Sequence, residues 1–273
     1  MVARFDEIVE TKVDARWTDS CQGVAWTGSH WVFTSNENGS RRIVTFDRDA
    51  DLLDEQIVSS VLITQELLGP GLTLHHVGAP FHHEGRVYID HFDDTHSHAL
   101  VFRVGPDGSL AYERWFTLDR VDPGTRLNIL AIHPWDRTMY MVADDIPEKA
   151  TLWIHDMDGH FTGTTFPLAP PIADSGYAQG GCFTPNGHLY IASGRTGPKR
   201  QNIYCYSALN GRRLGLIGVD TPAEGEELEG ICYADVTRKG QRAQIHGVVL
   251  ANHLRAKDGI FFKSFAATEP ELV

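Results

Sequence analysis

Five segments of this chain repeat one layout. Each opens on a short apolar stretch, passes a turn, and continues into a second apolar stretch. Gln179-Gly-Gly-Cys-Phe-Thr-Pro-Asn-Gly-His-Leu-Tyr-Ile-Ala-Ser-Gly194 shows it most clearly. Gln22–Trp26 leads in the same way to Trp31–Asn36, Val77–Phe81 to Val87–His91, Asn128–Ile132 to Met139–Asp144, and Glu229–Tyr233 to Val248–His253. The residue after each opening position falls at Gly23, Gly78, Ile129, Gly180 and Gly230, in steps of 55, 51, 51 and 50. Five such units use up nearly all of the 273 residues, which argues for one domain.

A period near fifty, built from short strands, predicts an all-β fold: a five-bladed β-propeller with four antiparallel strands in each blade. Asp107-Gly108, Asp158-Gly159, Asn186-Gly187 and Asn210-Gly211 fall between apolar runs, where both turn residues must accept positive φ. The blades are expected at 15–67, 68–119, 120–169, 170–220 and 221–273. The last of these offers three strands only. Residues 3–14 alternate loosely, have no preceding partner, and are expected to supply its fourth strand and fasten the ring.

The formal charge of −12 argues against a nucleic-acid surface, which needs basic stripes to displace phosphate counterions. No run approaches the roughly 20 apolar residues of a membrane span, and the first ten residues lack the apolar core of a leader. Cys182 and Cys232 sit in one register within apolar strands, so buried thiols are expected rather than a disulfide frame. These features together predict a cytoplasmic protein that needs neither nucleic acid nor membrane.

In such a ring the first strand of each blade lines the central channel. The loops leading into first strands and those leaving second strands open at one mouth, the usual place for a ligand. The former carry Trp17, Asp19, Gln22, His75, His76, Arg126, Asn128, Tyr177, Gln179, Glu227 and Glu229. The latter carry Asn36, Asp90, His91, Asp93, Asp144, Arg195, Asn252 and His253. For catalysis the expected groups are His75, His76, His91, Glu229 and His253, because imidazole titrates near neutrality and a carboxyl can partner it. Trp17, Asp19, Gln22, Asn36, Arg126, Tyr177, Gln179, Arg195 and Asn252 are expected to contact the ligand. His96 and His98 could fold over the mouth, while His82 and His83 belong to the opposite face. No P-loop, Gly-x-Ser-x-Gly elbow or dinucleotide fingerprint occurs, so no nucleotide cofactor is expected.

Glu229-Gly230 opening a channel strand, with Asn128 opening another and Asp144 ending a second strand, resembles the layout of calcium-dependent lactonase propellers of the gluconolactonase and strictosidine-synthase-like group. The resemblance implies a divalent cation, calcium first, held by Glu229, Asn128 and Asp144. Two features depart from it: those rings have six blades, and Asn128 precedes Ile129 rather than glycine. The five-bladed furanosidase and invertase-like glycosidases are a second comparison. They set three carboxylates on channel strands, whereas the strand-opening positions here supply one, Glu229. The expected function is therefore a small-molecule enzyme of hydrolase, lyase or cyclase type, using acid–base or metal-assisted chemistry. The alternative is a binding or scaffold propeller without turnover.

Overall fold

A computed structural model describes residues 5–37, 40–93, 96–120, 127–143, 151–172, 177–194, 201–220, 226–251 and 258–267. The strands of blade one are Cys21–Trp26, His30–Glu37, Ser40–Asp47 and Ile57–Ile63 (β2–β5). Blade two has His76–His83, Arg86–Phe92, Ser97–Val104 and Leu110–Thr117 (β6–β9). Blade three has Leu127–His133, Thr138–Ala143, Thr151–Asp156 and Phe161–Pro167 (β10–β13). Blade four has Tyr177–Phe183, His188–Gly194, Gln201–Ser207 and Arg213–Val219 (β14–β17). Each is an antiparallel sheet with its strands in chain order.

The fifth sheet combines Phe5–Val13 (β1) with Glu226–Arg238, Gln241–Ala251 and Gly259–Ala267 (β18–β20), in the order β1-β20-β19-β18. The five-bladed ring and its closure by the N-terminal strand are as expected. Within that closure the Lys263 ammonium, 2% exposed, donates to Glu7 Oε1 at 3.0 Å and to Glu10 Oε2 at 2.6 Å, both on β1.

Strand alternation explains the packing. In β3, Trp31 and Phe33 face blade five, where they meet Val248 and Phe262; Val32 between them faces blade two and meets Val87 and Ile89. Both faces of a blade are covered, so its strands read as nearly continuous apolar runs. Five such clusters fill the five gaps between neighbouring blades. The turn glycines behave as the sequence predicts, with φ of +75° at Gly187 and +91° at Gly159.

Every channel strand carries a β-bulge. The register slips between Cys21 and Gly23, Val77 and Pro80, Ile129 and Ala131, Ala178 and Gly180, and Leu228 and Gly230. The extra residue is Gln22 in β2, Gln179 in β14 and Glu229 in β18. A bulge re-aims the side chain of its extra residue, and here it turns these three into the channel. The structure also moves two alignments; in β10 the extra residue is Leu130, so Ala131 rather than Ile129 follows the bulge. Ala79, not Gly78, sits level with Gly23, Gly180 and Gly230: a Cβ at Gly23 would lie 2.9 Å from Ala79 Cβ, and one at Gly180 3.5 Å from it. Gly78 therefore occupies the place that Gln22, Gln179 and Glu229 hold in their own blades.

Candidate functional site

The channel mouth is a cavity of about 460 Å3 lined by Gln22, His76, Asp90, Phe92, Asn128, Tyr177, Gln179, Glu227 and Glu229, with Gly78 and Ala79 beneath. That volume suits a small molecule. A larger concavity of about 1140 Å3 is an open groove beside Trp26, Asp49, Glu55 and Asp235. The mouth is the better candidate because it gathers carboxyl, imidazole and amide groups from several blades around one buried acid.

That acid is Glu229. Its side chain is 6% exposed, lines the cavity, and makes no hydrogen bond to any described residue. Burial pushes its carboxyl well above the ordinary carboxylate range, and the neighbouring Glu227 and Asp258 push the same way. Both effects favour the protonated form of Glu229. Glu227, two residues earlier, accepts a hydrogen bond from Gln179 Nε2 at 2.7 Å.

Asp90 reaches the mouth through the special place of Gly78. A Cβ at Gly78 would stand 2.6 Å from Asp90 Oδ2, so the carboxylate lies in the space that a side chain at 78 would take. The second carboxyl group of the site comes by this route from the second strand of its blade.

His76 lines the cavity with its ring stacked on Phe92, centroids 5.0 Å apart and planes 21° apart. Burial, with the Arg41 charge acting the same way, lowers its pKa to about 4, so the imidazole is neutral at physiological pH. Asn36 stands behind it, with Nδ2 2.5 Å from His76 Nδ1.

Of the residues expected at the mouth, Gln22, His76, Asp90, Asn128, Tyr177, Gln179, Glu227 and Glu229 are brought together there, and Asn36 supports one of them. Five are placed elsewhere, Asp93 among them, with its carboxylate accepting from the His96 N–H at 2.7 Å. The ring of His91 is 1% exposed and faces away from the mouth: its Nε2 accepts from the His75 N–H at 3.1 Å, and it packs on His98. Alternation along β7 is the reason, since Asp90 and Phe92 take the mouth side and His91 the other. His75 does not line the cavity; its backbone holds His91 and accepts from Arg41 Nε. Trp17 is a core residue at 1% exposure, with Nε1 donating to Leu52 O at 2.9 Å and its ring against Phe33 and Phe46. Asp19 ties the loop before β2 to blade five by accepting from Asp258 N–H at 3.2 Å.

His98 does not cover the mouth either. It is buried in β8, with Nε2 3.1 Å from Asp93 Oδ2. Arg126, Asp144, Arg195, Asn252 and His253 lie outside the described residues. Asp90 and Glu227 were legible as mouth residues by position, but nothing in the sequence marked them out as wall-forming.

Of the three ligands expected for calcium, Glu229 and Asn128 line one cavity and Asp144 is outside the described residues. Among the described residues no group of three His, Cys, Asp or Glu side chains is placed to hold a metal ion. By themselves they do not make a calcium site, which would need six to eight oxygens.

Fold and site together define a five-bladed β-propeller whose channel opens on a mouth rich in carboxyl and amide groups. No protein-family model matches the chain, and no curated protein matches it in sequence. Similar solved structures include the PQQ-bound aldose sugar dehydrogenase of Streptomyces coelicolor, at 11% identity over 96% of this chain and 98% of that one, with a TM-score of 0.53. A GH43 glycoside hydrolase engineered to display both endo-xylanase and exo-arabinofuranosidase activity is 13% identical over 92% of this chain, with a TM-score of 0.58. The match spans 50% of that hydrolase's length. Regucalcin from Agrobacterium tumefaciens, a calcium-binding protein, is 12% identical over 92% of this chain and 78% of its own, with a TM-score of 0.45. At such identities the likeness shows the fold alone. Propellers similar to this chain thus include enzymes of different kinds. No helix among the described residues is long and apolar enough to cross a membrane.

Proposed function

We propose that the protein is a small-molecule enzyme acting at the channel mouth, with Glu229 as its proton donor. The observation that carries this reading is a carboxyl group buried without a hydrogen bond to any described residue, on a bulge that aims it into a cavity of ligand size. Such a group costs folding stability and offsets nothing nearby, which is the pattern of a functional acid. Opposite in role stands Asp90, the carboxyl that Gly78 admits to the wall.

Two carboxyl groups in unlike surroundings suit cleavage of a neutral, polar substrate by a hydrolase- or lyase-type reaction. Glu229 gives its proton to the leaving oxygen, and Asp90 accepts a proton from the attacking water or from the substrate carbon. Phe92 and Tyr177 offer faces for the substrate's apolar side, and Gln22, Asn128 and Gln179 offer amides to its hydroxyl or carbonyl groups. The amide-and-aromatic wall also suits a second reading, a carbohydrate-binding propeller without turnover. A divalent cation is not required by either reading; Glu229 and Asn128 are the described residues that would meet one.

The test is Glu229→Gln and Asp90→Asn assayed beside the wild type on glycosides, esters and lactones. Each variant is expected to lose about a hundredfold in turnover or more, and Glu229→Gln to keep or raise the melting temperature. Full turnover in Glu229→Gln overturns the proposal. Ligand binding retained without turnover in the wild type favours the second reading.

A further inference from the structure

The Asn36–His76 pair carries a statement about the ligand. It rests on the mouth being the site, and adds to the reading above the chemistry of the ligand atom that His76 meets.

Asn36 Oδ1 faces the Val77 N–H at 3.5 Å, while Nδ2 faces His76 Nδ1 at 2.5 Å. A backbone N–H can only donate, so it orients the amide: oxygen toward Val77, NH2 toward the ring. An NH2 group donates, and the nitrogen it meets must present a lone pair. The single proton of a neutral imidazole therefore sits on Nε2. Stacking on Phe92 fixes the plane of the ring, and the Asn36 contact fixes which edge faces the amide. Among the described residues Nε2 has no hydrogen-bond partner, and the ring lines the cavity.

We infer that Asn36 is a positioning residue that fixes His76 as the Nε2–H tautomer, so that the ring presents a donor to the mouth and meets an acceptor oxygen of the ligand, such as a carbonyl or ether oxygen, rather than a metal ion. The low pKa of the ring agrees with this, since a neutral imidazole is what the arrangement needs; the charged group acting on it is Arg41, whose Nε is engaged by the His75 carbonyl. With Glu229 protonated, blade two and blade five then each offer one neutral donor to the same cavity. A ligand oxygen held between them would be polarised without any ion.

The experiment uses the full chain labelled with 15N-histidine, with long-range 1H–15N correlation spectra that read each ring's tautomer directly. His76→Gln assigns the signal. The wild type is expected to show a neutral Nε2–H ring between pH 6 and 8. Asn36→Asp puts a carboxylate opposite Nδ1, so the proton is expected to move to Nδ1 and the titration to rise toward neutrality. Asn36→Ala, measured beside it with melting temperatures for both, should give a mixture of tautomers. One equivalent of zinc chloride should leave the wild-type His76 signals in place. A wild-type proton on Nδ1, an unchanged tautomer in both folded Asn36 variants, or a zinc-shifted His76 signal would each overturn the inference. These spectra need no substrate. Normal turnover in Glu229→Gln would sink the enzyme reading while leaving the tautomer result standing, and the reverse outcome is equally separable.

Discussion

Gly230 and Gly23 meet backbone to backbone where blades five and one adjoin the channel: a Cβ on Gly230 would stand 2.9 Å from the Gly23 Cα. The contact brings the strand bearing Glu229 against the strand bearing Gln22, and so sets the width of the floor beneath the mouth. Gly230→Ala must push the two strands apart. We expect a loss of about 1–3 kcal/mol, as for overpacking in a close-packed interior. Gly180→Ala, whose Cβ would stop 3.3 Å from the Gly230 Cα, should lose less. Urea unfolding of both variants checks the order, and equal losses would contradict it.

Gly78 is expected to be intolerant for a different reason. Alanine there collides with the Asp90 carboxylate. Gly78→Ala should move Asp90 out of the wall and lower ligand binding or turnover about tenfold or more. Asp90→Ala in the same background should relieve the collision and recover stability but not activity. Calorimetric melting combined with the activity assay separates the two effects.

The ring closure depends on Lys263. Its ammonium is buried against Glu7 and Glu10 of β1, and removing it leaves those two carboxylates facing each other with no cation between them. Lys263→Met is expected to destabilise the protein by about 1–3 kcal/mol and to expose β1 amides to exchange first. Hydrogen exchange across residues 5–13 reads this directly. Uniform loss of protection across all five blades would show that β1 is not a separable fastening.

Acid sensitivity should arise in part from buried neutral histidines. His246 is fully buried, with Nδ1 2.9 Å from Ser264 Oγ and Nε2 3.0 Å from the Ala234 carbonyl. Burial lowers its pKa to about 4, against about 6.5 in an unfolded chain. Between those two values the unfolded chain holds a proton that the folded one refuses, so stability falls as the pH drops through that window. The slope from this one group is up to about 1.4 kcal/mol per pH unit. Below about pH 4 its contribution stops changing. Subtracting the stability of His246→Gln from that of the wild type at several pH values isolates the effect; a flat difference between pH 6.5 and 4 would contradict it.

The four cysteines should be unreactive in the native state. All are buried and none is in a disulfide, and burial pushes the Cys21 thiol up to about 12 and the Cys232 thiol well above its ordinary range. A disulfide-exchange reagent needs thiolate, so native protein at pH 8 should react only as fast as it unfolds. Rapid labelling of Cys182 or Cys232 in folded protein would count against this.

The sequence by itself determined the ring. The repeat length, the Asn-Gly and Asp-Gly turns, the apolar runs and the unpartnered first strand each follow from local chemistry, and together they admit one closure. It also determined which positions come near the mouth, because strand ends in a ring have a fixed address. Only the tertiary structure decided which of those side chains face the ligand space. Side chains alternate along a strand, so a slip of one residue reverses the face, and each channel strand contains such a slip. That is why Gly78 rather than Ala79 stands level with Glu229, while plain alternation along β7 turns His91 inward and Asp90 to the wall, and Trp17 packs into the core from the 3-10 turn before β2. A bulge depends on hydrogen bonds to a neighbouring strand some ten residues away, and nothing in the local residue pattern announces where the extra residue will fall.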